Sequence, residues 1–234
     1  VNAFVRVKNL NDKEFINSHY LVFCTKNGII KKTSLEQYSR PRQNGVNAIL
    51  IREDDRVIEV RMTNGKNEII MANRNGRAIR FNEQDVRTMG RVATGVRGMT
   101  LDGGDDEVVG MVCVNAPLTE TILVATENGY GKRTELTEYL RTGADGTKVA
   151  QSRGGKGLKN YNITPKTGNV AGCRVVAETD DVMVIENGGV IICTPVSNIN
   201  IYKRDVQGVI VMRIEEGNKV VSIERVENEE TVEE

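Results

Sequence analysis

Residues 20–33, YLVFCTKNGIIKKT, carry the reading on which the fold turns. Two runs rich in aliphatic and β-branched residues flank Lys26, Asn27 and Gly28. Asn-Gly is a favoured two-residue hairpin connection, because both central positions of a type I′ turn need positive φ. The same layout returns at 68–81 (EIIMANRNGRAIRF), 121–134 (TILVATENGYGKRT) and 181–194 (DVMVIENGGVIICT). The register glycines Gly28, Gly76, Gly129 and Gly189 lie 48, 53 and 60 residues apart, close to the ~40–50-residue period of propeller families.

Each copy then continues in the same way. A loop leads to Gly45-Val46, Gly95-Val96, Gly157-Leu158 or Gly208-Val209, and a third apolar run follows: VNAILI, VRGMTL, LKNYNI or VIVMRI. A fourth run closes each unit from Arg56, Glu107, Val170 and Lys219 onward. Alternation of apolar and polar residues within these runs has the period of a half-buried strand and not of a helix. The pattern predicts an all-β, β-propeller-like domain over residues 1–226, with four-stranded blades at about 19–66, 67–119, 120–180 and 181–226. One such unit cannot bury its faces alone, so the blades must stack. The opening VNAFVRV reads as the closing strand of a preceding unit, which marks the chain as a piece of a longer protein. Residues 227–234 read as an acidic, disordered tail.

Hydrophobic residues make up 39% of the 234 positions and charged residues 27%, which suits a folded globular protein. No apolar run approaches the ~18 residues of a membrane span, and no signal segment opens the chain, so the expected location is the cytoplasm. The four cysteines, Cys24, Cys113, Cys173 and Cys193, form no Cys-x-x-Cys pair. Reduced, buried thiols are expected, with neither zinc nor any cofactor.

The formal net charge is zero, yet it is unevenly spread. Residues 215–234 carry eight glutamates against Lys219 and Arg225, a local balance of −6, which leaves +6 on the rest. The positive charge clusters in the second strand and following loop of each repeat. Repeat one offers Lys31, Lys32, Arg40 and Arg42; repeat two offers Arg77, Arg80, Arg87, Arg91 and Arg97. Repeat three offers Lys132, Arg133, Arg141, Lys148, Arg153, Lys156 and Lys159, and repeat four Lys203 and Arg204. Acidic residues collect instead at the turns, as in Glu53–Asp55, Asp105–Glu107 and Asp180–Asp181. With like loops facing one way, the cations line one rim of a curved array. Phosphate contacts on such a rim release condensed counterions and need read no base, so duplex DNA is the expected partner.

Gln151, Ser152, Arg153, Gly154, Gly155, Lys156 and Gly157 form a glycine-rich loop whose backbone can approach another surface closely. It is no nucleotide-binding P-loop, since no Gly-Lys-Ser or Gly-Lys-Thr occurs in the chain. QSRGGKG resembles, with one substitution, the QRRGGKG box of DNA gyrase A subunits. NGIIKKT from Asn27, NGYGKRTELTEY from Asn128 and QGVIVMRI from Gln207 resemble the C-terminal domain of the same family. This resemblance spans the whole chain. It implies a pinwheel, a propeller whose blades exchange a strand, that bends duplex DNA around its outer rim. It also implies a heterotetramer in which the remainder of the A subunit, together with the ATPase B subunit, are the partners. Two departures stand out: the family has more than four blades, and its box lies in the first blade, whereas here it lies in the third repeat.

Nothing in the sequence points to catalysis. His19 is the single histidine, and no Gly-x-Ser-x-Gly elbow accompanies it. Asp102–Glu107 lacks the ligand spacing of an EF-hand. Tyr38 and Tyr139 occupy equivalent positions, which points to packing beneath a loop. The competing readings are a protein-interaction propeller and the related domain of the topoisomerase IV A subunit. The former needs exposed aromatic anchors, which are scarce at 4% aromatic residues.

Overall fold

The computed structural model describes residues 3–7, 10–115 and 119–227; the acidic stretch 228–234 lies outside them. A six-residue helix, α1 (Lys13–Ser18), opens the ordered body, capped by the Asp12 carboxylate, which accepts from the amides of Glu14 and Phe15. All else of regular structure is strand or short 3-10 turn. The first repeat supplies β1 (Tyr20–Thr25), β2 (Ile29–Ser34) and β3 (Val57–Thr63). The second supplies β4 (Glu68–Asn73), β5 (Arg77–Asn82), β6 (Val96–Arg97) and β7 (Val108–Val114). The third holds β8 (Glu120–Thr126), β9 (Tyr130–Glu135), β10 (Arg141–Thr142), β11 (Lys148–Val149), β12 (Leu158–Lys159) and β13 (Val170–Ala177). The fourth holds β14 (Asp181–Glu186), β15 (Ile191–Pro195), β16 (Val209–Ile210) and β17 (Val220–Val226).

These strands build the expected propeller-like array of antiparallel blades, and each blade borrows from the next repeat. From hub to rim the strand orders are β3-β1-β2-β6, β7-β4-β5-β12 and β13-β8-β9-β16. The outermost strand of each blade is thus the third apolar run of the following repeat. Its register is the same at all three seams: Ile30 faces Val96, Ala78 faces Leu158 and Gly131 faces Val209. The fourth blade, β17-β14-β15, has three strands. In repeat one, the equivalent run 46–51 forms no strand.

The core lies between blades as well as within them. Val22 and Ile30 of the first blade pack with Met71, Ile79 and Met111 of the second, and with Met99 of the donated run. Equivalent clusters join the second blade to the third and the third to the fourth. Because both faces of β2, β5 and β9 meet a neighbour, these strands are buried on both sides, and alternation within them is lost. Residues 3–7 form no strand; Ala3, Val5 and Val7 pack instead on the first blade beside Ala48 and Ile49. At the hub, β3 packs on β7, β7 on β13 and β13 on β17. Arg174 of β13 reaches Glu224 of β17 (2.8 Å) and Glu59 of β3 (3.5 Å), so a charge network occupies the space between the first and fourth blades.

The thiols divide. Cys24 and Cys173 are buried and Cys113 is half-buried, but Cys193 is exposed on β15, contrary to the expectation that all four are interior. The edge of the fourth blade, with no donated strand over it, leaves that side chain open. The tyrosines do pack beneath their loops: the Tyr139 hydroxyl donates to Asn160 (2.5 Å) and the Tyr38 hydroxyl to the Ala48 carbonyl (3.1 Å).

Candidate nucleic-acid interface

The eighteen basic residues singled out from the sequence separate into two populations. Five lie inside the array. Lys31, Lys32, Arg80, Lys132 and Arg133 are 0–6% exposed, which corrects their assignment to a DNA-contacting rim: a phosphate cannot reach them. They sit within the second strand of their blades, not in the loop after it, and that strand is central once the donated strand is added.

Their charged ends clasp the next repeat. Lys32 Nζ donates to the Glu83 carbonyl (2.9 Å), Arg80 Nη1 to the Leu136 carbonyl (2.6 Å) and Arg133 Nε to the Ile199 carbonyl. All three acceptors belong to, or directly follow, the short 3-10 turn after the second strand of the following repeat. Lys31 reaches the Arg91 carbonyl (2.7 Å), and Lys132 the Lys203 carbonyl (2.9 Å), in the loop beyond that turn. Burial pulls the Lys31 amine down to about 8 and the Lys132 amine down to about 7. Carboxylates complete two of the clamps, Glu68 on Arg80 and Glu178 on Arg133.

The glycine-rich loop is likewise a seam, joining repeats two and three. Gln151 is buried and its amide donates to the Arg80 carbonyl (2.8 Å). Arg153 spends its guanidinium on the carbonyls of Asp85 (2.8 Å) and Arg97 (2.9 Å), while Gly154 donates to the Gly98 carbonyl (2.7 Å). Thr100 closes the junction by donating to Gly154 and Gly155. Ser152 is exposed. Lys156 is exposed too, but it pairs with Asp102 (2.8 Å), as Arg77 does (3.2 Å). The hydrogen bond from Lys156 holds the Asp102 carboxyl below the ordinary aspartate range.

The remaining cations face outward. Arg97 and Lys159 occupy equivalent positions on the donated strands β6 and β12, the outermost of blades one and two, and both are exposed. Arg40, Arg42, Arg87 and Lys203 are exposed in the loops that precede donated runs. Arg91 and Arg204 are half-buried there, with Arg204 donating to the Lys159 carbonyl (2.7 Å). Arg141 and Lys148 stand on the hairpin β10–β11, where nearly every residue is exposed. This hairpin accounts for much of the longer spacing of the third repeat. Sequence reasoning passed over Arg213, which is exposed three residues beyond β16. Its signal was position: it lies in the stretch that follows a donated strand.

The four repeats each match one family model, described as "DNA gyrase C-terminal domain, beta-propeller", at residues 19–64, 67–115, 120–177 and 180–227. The chain belongs to this family. It is 39% identical over 230 residues to the DNA gyrase A subunit of Staphylococcus epidermidis, and 38% identical over 229 residues to that of Staphylococcus aureus. Each alignment covers 98% of the chain but 24% of the relative, so the chain spans about a quarter of those proteins. Among solved structures, the C-terminal domain of DNA topoisomerase IV superposes with a TM-score of 0.82 at 29% identity, covering 92% of this chain and 64% of that one. A DNA gyrase A C-terminal domain superposes with a TM-score of 0.77 at 24% identity, covering 92% and 68%. The fold is thus the one these C-terminal domains share.

Proposed function

We propose that this chain is a non-catalytic DNA-binding and DNA-wrapping module of a gyrase A subunit, holding duplex DNA along the outer edge of its blades. The observation that carries the reading is the placement of Arg97 and Lys159 on successive outermost strands, with Arg87 and Lys203 in the loops beside them. Bending a site of ~20–30 base pairs costs on the order of 1–6 kcal/mol in smooth elastic models, and distributed phosphate contacts can offset it. The clamped seams hold the blades in fixed relation, so the outer cations present a preset curvature.

In the whole protein such a wrap would hand a neighbouring DNA segment to a cleavage core carried elsewhere. It would thereby direct an ATP-dependent type II topoisomerase toward negative supercoils, in a bacterial cytoplasm and alongside an ATPase B subunit. The similarity to a topoisomerase IV domain favours one alternative, a module that binds DNA but wraps it less. Ligating nicked circular DNA in the presence of the chain separates them. A wrapping module shifts the linking number of the sealed product in proportion to bound protein. Binding with no shift would leave the weaker topoisomerase IV-like role, and no salt-dependent binding would remove both.

A further inference from the structure

The third repeat carries a feature the others lack. From its 3-10 turn to the glycine that introduces its donated strand, the chain runs 18 positions (Tyr139 to Gly157). The same stretch takes 7 to 10 positions elsewhere (Tyr38 to Gly45, Asp85 to Gly95, Asn198 to Gly208). The surplus goes into the hairpin β10–β11, which among the described residues pairs with no blade. Its side chains enter none of the four apolar clusters, and two strands alone are marginal in water. Packing therefore does not account for it.

The hairpin walls a cleft of about 360 Å³ on the outer side of the blades. Arg141 and Lys148 come from the hairpin and Leu158 from β12, the outermost strand of the second blade. Arg204 comes from the loop that feeds β16, the outermost strand of the third. These three cations and the carboxylate of Glu138 leave the cleft at +2. Unlike Arg77 and Lys156, which share Asp102, Arg141 and Lys148 have no carboxylate partner among the described residues. Arg204 gives one nitrogen to the Lys159 carbonyl (2.7 Å), which fixes its guanidinium and neutralises none of its charge. Asp145, the hairpin's own acid, is turned onto the amide and hydroxyl of Thr147 (3.0 and 2.7 Å) at the tip.

A break in the outer strands falls at the same place. The donated strands share one register, so Arg97, Lys159 and Ile210 are equivalent. On the third blade an isoleucine, 54% exposed, thus stands where the first two carry a cation. A duplex following Arg97 and Lys159 loses a phosphate contact at that step. The cleft lies between Lys159 and the strand that has no cation at this position. We propose that the hairpin β10–β11 and Arg204 form a clip for the duplex backbone, gripping phosphates where the DNA passes from the second blade to the third. The inference rests on the reading of the chain as a DNA-binding module and adds to it a dedicated grip in one repeat. Glu138 opposes a lone anion, so the clip favours a polyanion already held along the outer strands. Each phosphate gained there releases a condensed counterion.

Anisotropy titrations of the 234-residue chain with a duplex at several salt concentrations test it. Arg141→Gln with Lys148→Gln should lower the log–log salt slope by about 2 units, at ~0.9 per phosphate, with thermal unfolding unchanged. Lys13→Gln with Lys66→Gln removes the same charge from exposed positions on α1 and in the turn before β4, and should not move the slope. Adding Ile210→Arg to the hairpin variant should restore about one unit, because it supplies the missing cation of the outer strands. A parent chain with no salt-dependent binding would remove the DNA reading and the clip with it. Where the parent binds, the clip alone is overturned by any of three results. The hairpin variant keeps its slope, the two double variants lose equal slope, or Ile210→Arg restores nothing. Calorimetric titration with inorganic phosphate closes the test: saturable binding that the hairpin variant loses while its duplex slope holds would make the cleft a small-anion site instead.

Discussion

Arg133 and Arg97 carry the same charge in neighbouring parts of the repeat and do opposite work. Arg133, on a central strand, is 4% exposed and ties the third blade to the fourth through the Ile199 carbonyl and Glu178. Arg97, on a donated edge strand, faces water with its backbone held by Ile29. The difference lies in how many sheets flank the strand. A cation with a blade on each side must satisfy itself on carbonyls, because a buried charge without partners is costly. A cation on the outermost strand keeps its hydration until a phosphate replaces it.

That contrast is sharpened first by removing the outward set. Replacing Arg87, Arg97, Lys148 and Lys159 together with alanine is expected to lower duplex affinity ~10²–10³-fold at moderate salt. It should also flatten the log–log salt dependence by about 3–4 units, at ~0.9 for each phosphate no longer neutralised. Thermal unfolding of this variant should match the parent. Should its salt slope stay unchanged in a fluorescence anisotropy titration, the outer strands are not the surface that DNA meets.

Removing the inward set should do the reverse. Arg133→Ala leaves the Ile199 carbonyl without its donor and empties a packed volume, so chemical denaturation should show a loss on the order of 2–3 kcal/mol. The fraction that remains folded should bind DNA with the parent's salt slope. A smaller version of the first test, Arg97→Ala alone, should cost about one unit of slope or less and leave stability untouched.

A pH dependence tests the inward set in another way. The Lys132 amine loses its proton near pH 7 in the folded chain, whereas its ordinary value is 10.5. Between those values the unfolded chain binds more protons, so stability should rise with pH across that window. Lys132→Met keeps the volume and removes the titration. Urea midpoints measured from about pH 7 to 10 should climb less steeply in the variant, and equal slopes would place the titrating group elsewhere.

How much of this was legible beforehand follows from the same geometry. The turns at Gly28, Gly76 and Gly129 announce hairpins through local backbone chemistry, although not as the type I′ turns expected. The glycine takes positive φ and the asparagine before it does not, and the glycine amide closes the turn on Thr25, Asn73 or Thr126. Strand exchange is a relation between repeats: Val96 pairs with Ile30 across 66 positions, and no periodicity within either segment records it. Hence Lys31, Lys32, Arg80, Lys132 and Arg133 read as rim residues when they are interior. The glycine-rich loop misleads for a related reason. Its flexibility and charge fit a ligand as well as a neighbouring blade, and the bonds from Arg153 to Asp85 and Arg97 show that a blade is what it meets.

Strand donation also sets an order of assembly during synthesis. A blade cannot acquire its outermost strand until the ribosome has delivered the third run of the repeat that follows. The hairpin β1–β2 must therefore wait, edge open, until Val96 emerges, and each later blade waits in turn for its successor. Folding in the cell should proceed as a relay from the amino end, with one incomplete blade always trailing the growing chain.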